Sequence, residues 1–513
     1  MKLFRASAIV GAFTLLSRVL GFVREILFAA ALGSGPMAQV FLVAFRFPNL
    51  FRRWFAEGAF NSAFLPIYAE KLEVEGAESA NRFAGDTLSG LLLILFGFVL
   101  LAEFSMPWLM VALAPGFLEN PDLLAKAILF TQITTPYILF MSLTAMLGGV
   151  LNAHHRFVAA AFAPVLLNIV FISILVKPGI DPNQMALNLS YGTLVSGALQ
   201  AGIVWLALRR AGIHLRLQKP RLDDDMRKLL RLGIPGAIAA GAVQINLVVS
   251  QAFASFQDGA IAWLNYADRL YQLPLGVVGV AMGVALLPSL SRAVRSGNEA
   301  QALNSQNEAL VLASAFTLPS AVALFVLPAL FVEGLYLRGA FTPDDAVAVA
   351  NALKIYALGL PAFILIKVFA PGFFARQNTK LPMLIAVFSM AINIVLGAIL
   401  FMKFGFMGLA AATSIAGWVN GLLLGFLLWK RGHFAPDLKL VSKIIRFSLA
   451  SVFMGSLLGL LAHSLRDAVS FLPFWYLSAA ILVSILGLVL YVFAILAFGA
   501  VKFSDFLQMF RRS

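Results

Sequence analysis

Arg18, Arg24 and Glu25 interrupt an otherwise apolar run over residues 8–33. At about 100° per residue, Arg18, Glu25, Gly21, Ser17 and Arg24 share one arc of roughly 120°. Leu15, Leu16, Val19, Leu20, Phe22, Val23, Ile26 and Leu27 cover the rest of that helix. An arginine at the centre of a bilayer costs about 2.5–3.5 kcal/mol on insertion scales, so such a polar stripe must face protein or water. A second cluster follows in FRFPNLFRRWFAEGAF (45–60). There Arg46, Asn49, Arg53 and Glu57 fall on one helical face, Arg52 points about 100° away, and Pro48 bends or breaks the segment. Farther on, NYADRLYQLPLG (265–276) places Asp268 beside Arg269. A guanidinium offers a planar fork that matches phosphate oxygens in bidentate geometry. A wet cleft of low dielectric lined by Arg18, Arg24, Arg52 and Arg269 would hold an anion strongly, and those forks imply a phosphate or diphosphate cargo.

Each of these charges also has a structural reading. Glu25 can neutralise one arginine of the first helix, which leaves the other unpaired on that helix. Arg52 and Arg53 can lie at the membrane surface with their heads in water. Asp268 and Arg269 can neutralise each other, although adjacent side chains diverge. Lys354, near a helix end, is expected to snorkel; Lys367 lies deeper, and both readings stand open for it.

The elements that must position these residues are membrane helices. Of the 513 residues, 61% are hydrophobic and only 12% charged, against about 25% charged in soluble domains. Mean hydropathy is +0.91. A spanning helix needs about 20 mostly apolar residues, and fourteen segments qualify: 8–33, 36–66, 86–113, 124–150, 158–176, 187–208, 231–256, 261–290, 306–332, 346–371, 381–402, 406–429, 443–464 and 472–499. The expected fold is an all-α polytopic membrane protein with about 14 transmembrane helices.

An even count puts both termini on one side. Of the 38 Lys and Arg, 25 fall in segments on the N-terminal side, five in the opposite loops and eight inside apolar spans. The positive-inside rule then makes both termini cytoplasmic. The first run is longer than a signal-peptide core and carries three charges, so it reads as a span rather than a cleaved leader. The basic stretch 209–230 reads as a cytoplasmic linker with a short surface helix begun by Asp223-Asp224-Asp225, lying on anionic headgroups or simply solvated.

That linker divides a duplication with an offset of 220–225 residues. AFLPIYAE (63–70) meets ALLPSLSR (285–292), LNIV (167–170) meets INIV (392–395), and TLVSGALQ (193–200) meets TSIAGWVN (413–420). Six crossings return a chain to its starting side, so the repeats are parallel, an architecture found in transporters with a path between the halves. The expected organisation is a first lobe over 1–208, the linker 209–230, a second lobe over 231–432, and two extra helices over 433–513. At an offset of 222, Arg18 meets Ala240 and Arg24 meets Asn246. The second half builds the same helix without these charges, which favours a functional reading of the arginines over a structural one.

Several chemistries find no residues to carry them. There is no cysteine, and the closest histidine pair, His154–His155, is adjacent and diverges on a helix, so no metal site is expected. The net charge of +14 sits in loops between apolar runs, which argues against nucleic acid. No Gly-Lys dipeptide permits a phosphate-binding loop of the Walker type, and neither His-Glu-x-x-His nor Gly-x-Ser-x-Gly occurs. No enzyme, catalytic residue or cofactor is expected. Transport would draw on a gradient, on product removal, or on the membrane potential, worth about 2.3 kcal/mol per charge per 100 mV.

SRVLGFVRE (17–25), FPNLFRRWFAEGAFNSAFLP (47–66), ADRL with LPLGV and LLPSLS (267–291), and APGFFARQNTKLP (370–382) closely resemble the MurJ (MviN) family. These are the bacterial lipid II flippases of the multidrug/oligosaccharidyl-lipid/polysaccharide exporter superfamily, and the resemblance covers essentially the whole chain. It implies flipping of the undecaprenyl-diphosphate-linked peptidoglycan precursor to the outer leaflet of the inner membrane by alternating access. It maps essential arginines onto Arg18, Arg24, Arg52 and Arg269 and a first-helix acid onto Glu25. Ser17, Gly21, Pro48, Asn49, Arg53 and Asp268, which lie beside these charges in the sequence, are with Glu25 the expected supporting or gating positions. The resemblance gives the two extra helices a role as a groove for the prenyl tail. Lipid II and membrane lipids are the expected partners, with cell-wall synthesis enzymes as further candidates and a monomer as the expected state. Two acids common in the family are Gln39 and Gln272 here, and residues 231–256 hold no acid for sodium coupling. A flippase for another lipid-linked oligosaccharide and a non-transporting scaffold for cell-wall enzymes are the alternatives.

Overall fold

Lipid offers no hydrogen bonds to backbone N–H and C=O groups, so a spanning segment must close its own, and a helix does so within one segment. The computed structural model describes residues 2–52, 59–219, 223–468 and 475–501, and every regular element among them is helical. The chain divides into two compact units, Met1–Ala262 and Trp263–Ser513. The first holds α1 (Lys2–Leu32), α2 (Pro36–Arg52), α3 (Ala59–Val74), α4 (Ala77–Leu113), α5 (Pro121–Thr134), α6 (Tyr137–Ala153), α7 (Val158–Leu175), α8 (Pro182–Arg210) and α9 (Asp224–Ala254). From the boundary on come α10 (Ala260–Ala281), α11 (Leu287–Arg295), α12 (Glu299–Val326), α13 (Pro328–Tyr336) and α14 (Pro343–Phe374). The last four are α15 (Lys380–Phe404), α16 (Phe406–Lys430), α17 (Leu438–Ala468) and α18 (Trp475–Ala497).

Ten of the fourteen expected spans recur among the described residues as helices long and apolar enough to cross a membrane. The other four are the expected spans 8–33, 36–66, 231–256 and 261–290. Of these, α1 is about 46 Å long at ~1.5 Å per residue but carries Arg18, Arg24 and Glu25, while α2 has 17 residues. Two of the ten recurring spans are divided. The helix over 124–150 breaks at Thr135-Pro136 between α5 and α6, and that over 306–332 breaks at Leu327, where Pro328 opens α13. Proline withholds an N–H and crowds the preceding turn, which accounts for both breaks.

Pro48 leaves α2 continuous but deprives the Ala44 carbonyl of its i+4 donor. The buried Thr134 hydroxyl, at the end of α5, donates to that carbonyl at 2.9 Å. A buried carbonyl without a partner costs about 1–3 kcal/mol, so the threonine makes the proline tolerable and ties α2 to α5.

Among the described residues of the linker, 213–219 form no helix. Residues 213–219 run along α4, with Ile213 and Leu215 buried. The Gln218 N–H donates to Ser89 Oγ at 3.0 Å. A Cβ at Gly85 would stand 2.4 Å from the Arg216 carbonyl oxygen, so only glycine admits the strand of linker there. The expected surface helix is the opening of α9 itself. Asp223 caps it by accepting from the Met226 N–H at 2.8 Å, and Asp224 and Asp225 fill the first turn, where the helix dipole favours acids. Within the first unit, α9 packs on α3 and α4.

Charge holds α9 to the end of α3. Lys71 reaches Asp225 at 2.8 Å and Glu75 at 3.0 Å, and Lys228 reaches Glu70 at 3.3 Å. The Asp225 hydrogen bond, opposed in part by desolvation, raises the Lys71 pKa. A raised lysine stabilises below its ordinary value of about 10.4 and loses that contribution as pH rises through the folded value, so the clasp is fully formed near neutrality. Partly exposed pairs contribute about 1 kcal/mol or less each. Asp225→Lys is therefore expected to speed amide exchange at 224–232 by about fivefold at low salt, with Lys71→Glu in the same chain restoring protection. Unchanged exchange in Asp225→Lys would show the clasp to be idle.

In the second unit, α14 packs on α16 and α12, and α17 and α18 pack on each other. Gly359 permits a close approach of α14 to α16: a Cβ there would meet Ser414 Oγ at 2.6 Å. The two C-terminal helices join the unit through α12 and α13, with the Tyr491 hydroxyl donating to the Ala315 carbonyl at 2.7 Å.

Candidate functional site

The polar stripe of α1 lies against α7, where Asn168 meets it. Asn168 is 5% exposed and uses both ends of its amide. Its Nδ2 donates to the Ser17 carbonyl at 3.0 Å and approaches Ser17 Oγ at 3.4 Å. Its Oδ1 accepts from the Arg24 guanidinium at 3.2 Å. Gly21 lies between, and a Cβ there would sit 3.7 Å from Asn168 Oδ1. Ser17, Gly21 and Arg24 are spaced i, i+4, i+7, so one asparagine is met by two helical turns.

Arg24 has two further supports. Its other terminal nitrogen donates to Glu25 Oε1 at 2.8 Å, with the side chains 14% and 9% exposed. Its guanidinium stands 5.5 Å over the ring of Phe171, one turn on from Asn168. Phe171 is itself wedged against Phe41 and Phe45 of α2 at 5.8 and 5.5 Å. An aromatic floor attracts the cation and fixes its plane. Arg24 is thus held by charge, by an amide and by a ring face, with two of its five N–H groups engaged.

Arg18 occupies the other edge of the stripe and is exposed. The Arg24–Glu25 pair is neutral, so Arg18 supplies the net positive charge of the polar stripe. The sequence grouped five residues in one arc, and the structure divides them: Ser17, Gly21 and Arg24 face α7, Glu25 is buried, and Arg18 is accessible.

On α2, Pro48 is buried, Arg46 is half-buried, and Asn49 donates to the Phe45 carbonyl one turn back at 2.7 Å. Arg52 ends α2, and its side chain lies outside the described residues, as do Arg53 and Glu57. In the second unit, Arg269 is exposed on α10 and Asp268 is half-buried beside it. The Gln272 amide donates to Asp268. An acid at 272 would confront that carboxylate one turn away, whereas the amide satisfies it. Gln39 is 2% exposed on α2. Lys354 sets its ammonium 5.0 Å over the Phe325 ring, and Lys367 is exposed.

Sequence reasoning missed Asn168, Phe171 and Thr134. Asn168 left a trace, since it is the polar member of LNIV (167–170) and aligns with Asn393 of INIV (392–395), also buried. Phe171 is one of 46 phenylalanines and carries no mark in the sequence.

Residues 28–501 match the family described as lipid II flippase MurJ. A probable lipid II flippase MurJ of Rhizobium meliloti (strain 1021) is 44% identical over 100% of this chain and 96% of its own length. The lipid II flippase MurJ of Burkholderia cenocepacia is 36% identical over 85% of this chain and 86% of its own. A solved structure of a lipid II flippase MurJ in an inward closed conformation superposes with a TM-score of 0.77 at 27% identity, covering 96% of this chain and 98% of that one. An inward-facing multidrug resistance transporter of the MATE family shares the fold alone, at a TM-score of 0.68 and 16% identity. With its helices, its arginine-bearing first helix and these matches over nearly its whole length, the chain belongs to the MurJ family of multi-pass membrane transporters, which are not enzymes.

Proposed function

We propose that this chain carries lipid II, the undecaprenyl-diphosphate-linked peptidoglycan precursor, from the cytoplasmic to the periplasmic leaflet of a bacterial inner membrane. Two lobes of six helices, 1–208 and 231–432, alternate access to a cationic cavity, and the helices of 433–513 guide the prenyl tail. Both termini are cytoplasmic. Arg18, Arg24, Arg52 and Arg269 take the diphosphate.

The observation that carries this reading is the mounting of Arg24 on a membrane helix. Its guanidinium rests between Glu25, Asn168 and Phe171, and among the described residues three of its N–H groups are uncommitted. An arriving diphosphate competes with Glu25 for the same fork and brings more charge, so binding and release become an exchange between two anions. That exchange lets a deep cation exist in lipid without trapping its cargo. Arg18, exposed on the same helix, meets the headgroup first.

The test is leaflet exchange of labelled lipid II in proteoliposomes, with and without a membrane potential. Exchange well above empty liposomes is expected, and a lipid-linked sugar on a monophosphate carrier should exchange at least tenfold more slowly. Exchange no faster than in empty liposomes would overturn the reading in favour of a scaffold, and equal rates for unrelated glycans on the same diphosphate would favour a broader oligosaccharide flippase.

A further inference from the structure

Helices α7 and α8 run antiparallel, and a cavity of about 280 Å³ opens between them. Val170, Ile174 and Lys177 line it from the α7 side, and Asn188, Tyr191, Gly192 and Val195 line it from α8. Seven residues at ~1.5 Å each make the groove about 10 Å long. Its polarity is graded. Lys177, just past the end of α7, joins Asn188 and Tyr191 at one end, and Val170, Ile174 and Val195 line the other, deeper in the span.

The groove is part of how the helices pack. A Cβ at Gly192 would stand 2.5 Å from Ile174 Cδ1, so the glycine lets α7 and α8 approach while leaving an open furrow beside the contact. Tyr191 and Val195 are each 51% exposed, and both helices are apolar enough to cross a membrane. Lys177 is exposed, and its ammonium is without a hydrogen bond or ion pair among the described residues. None of these residues belongs to the polar stripe of α1, whose partner Asn168 is on the same helix but turned to α1.

We propose that this furrow is a site for one anionic phospholipid. The phosphodiester sits on Lys177 with Asn188 and the Tyr191 hydroxyl in reach, and the first stretch of an acyl chain lies on Val170, Ile174 and Val195. Charge complementarity selects the anionic headgroup, and the apolar floor selects a lipid over a free anion. An anionic headgroup attracts a lysine at the membrane surface, and the groove adds a fixed seat to that attraction. Its placement at the periplasmic leaflet rests on the topology proposed above; the binding itself does not.

Native mass spectrometry of the full chain, delipidated in detergent and titrated with phosphatidylglycerol or with phosphatidylcholine of the same tails, tests this. One phosphatidylglycerol is expected to bind at least fivefold more tightly than phosphatidylcholine, and inorganic phosphate should not displace it. Lys177→Glu, at an exposed position, should abolish the headgroup preference. Val195→Trp, which fills the floor, should weaken both lipids, with thermal stability reporting that it folds. Equal binding of the two lipids, or a preference that survives Lys177→Glu, overturns the proposal. Because the readout is phospholipid binding, its failure leaves lipid II exchange untouched, and the failure of lipid II exchange leaves it untouched in turn.

Discussion

Arg24→Ala is expected to insert in the membrane and to exchange lipid II no faster than empty liposomes. The side chain removed is the one mounted on three partners: Glu25 at 2.8 Å, Asn168 at 3.2 Å and the Phe171 ring at 5.5 Å. A protein does not assemble such a mount around a charge in a membrane helix for packing, since insertion alone costs about 2.5–3.5 kcal/mol. Stability and function must be separated in this variant. Removing one member of a buried ion pair costs about 3–5 kcal/mol because the survivor keeps its charge, and Glu25 is only 7% exposed. Arg24→Ala should therefore lower the Tm as well as the exchange rate. The double change Arg24→Ala with Glu25→Ala removes both charges, and it should recover most of the Tm and none of the exchange. Arg24→Lys keeps a charge but loses the planar fork, and should leave less than a tenth of the rate. Exchange restored by the double variant would show that Arg24 serves only to neutralise Glu25.

Asn168→Leu is expected to slow exchange about ten- to hundredfold with normal expression. A hydrogen bond to a charged group contributes about 1.5–3 kcal/mol, and ~1.4 kcal/mol is a factor of ten. Leucine has the same branching and the same number of side-chain heavy atoms, so the variant leaves no cavity and the effect would come from losing the amide. Without it Arg24 loses one of its two hydrogen bonds, and α1 loses the link from α7 to the Ser17 carbonyl. Asn168→Asp separates these. The carboxylate still accepts from Arg24 but cannot donate to Ser17, and it competes with the diphosphate for the same guanidinium. A larger loss in Asp than in Leu would identify the guanidinium as the affected group, while equal rates in wild type and Asn168→Leu would remove Asn168 from the site.

Much of this was legible in the residues themselves. Ten spans could be read from apolar runs, because lipid demands a length and a composition that few soluble segments imitate. The stripe on α1 could be read from Arg18, Gly21, Arg24 and Glu25, because 3.6-residue periodicity is local and survives any packing. The breaks at Pro136 and Pro328 were only half legible: a proline amid an apolar run can end a helix, yet Pro48 and Pro164 stay inside continuous ones.

What composition and periodicity determined is that this chain lives in lipid, that it is helical, and that its first helix bears two arginines on one polar face. The tertiary structure alone decided which edge of that face is held and which is open. Arg24 is fixed because α7 brings Asn168 and Phe171 to it across 144 and 147 positions of sequence, and Arg18 is accessible because no described residue packs its edge in the same way. An uncharged asparagine and one phenylalanine among many have no local signature, because their roles depend on helix–helix contact. The same holds for Thr134 under the Ala44 carbonyl and for Lys71 on Asp225, where each partner is ordinary in its own helix. Periodicity reports which way a side chain points, and only packing supplies what it meets.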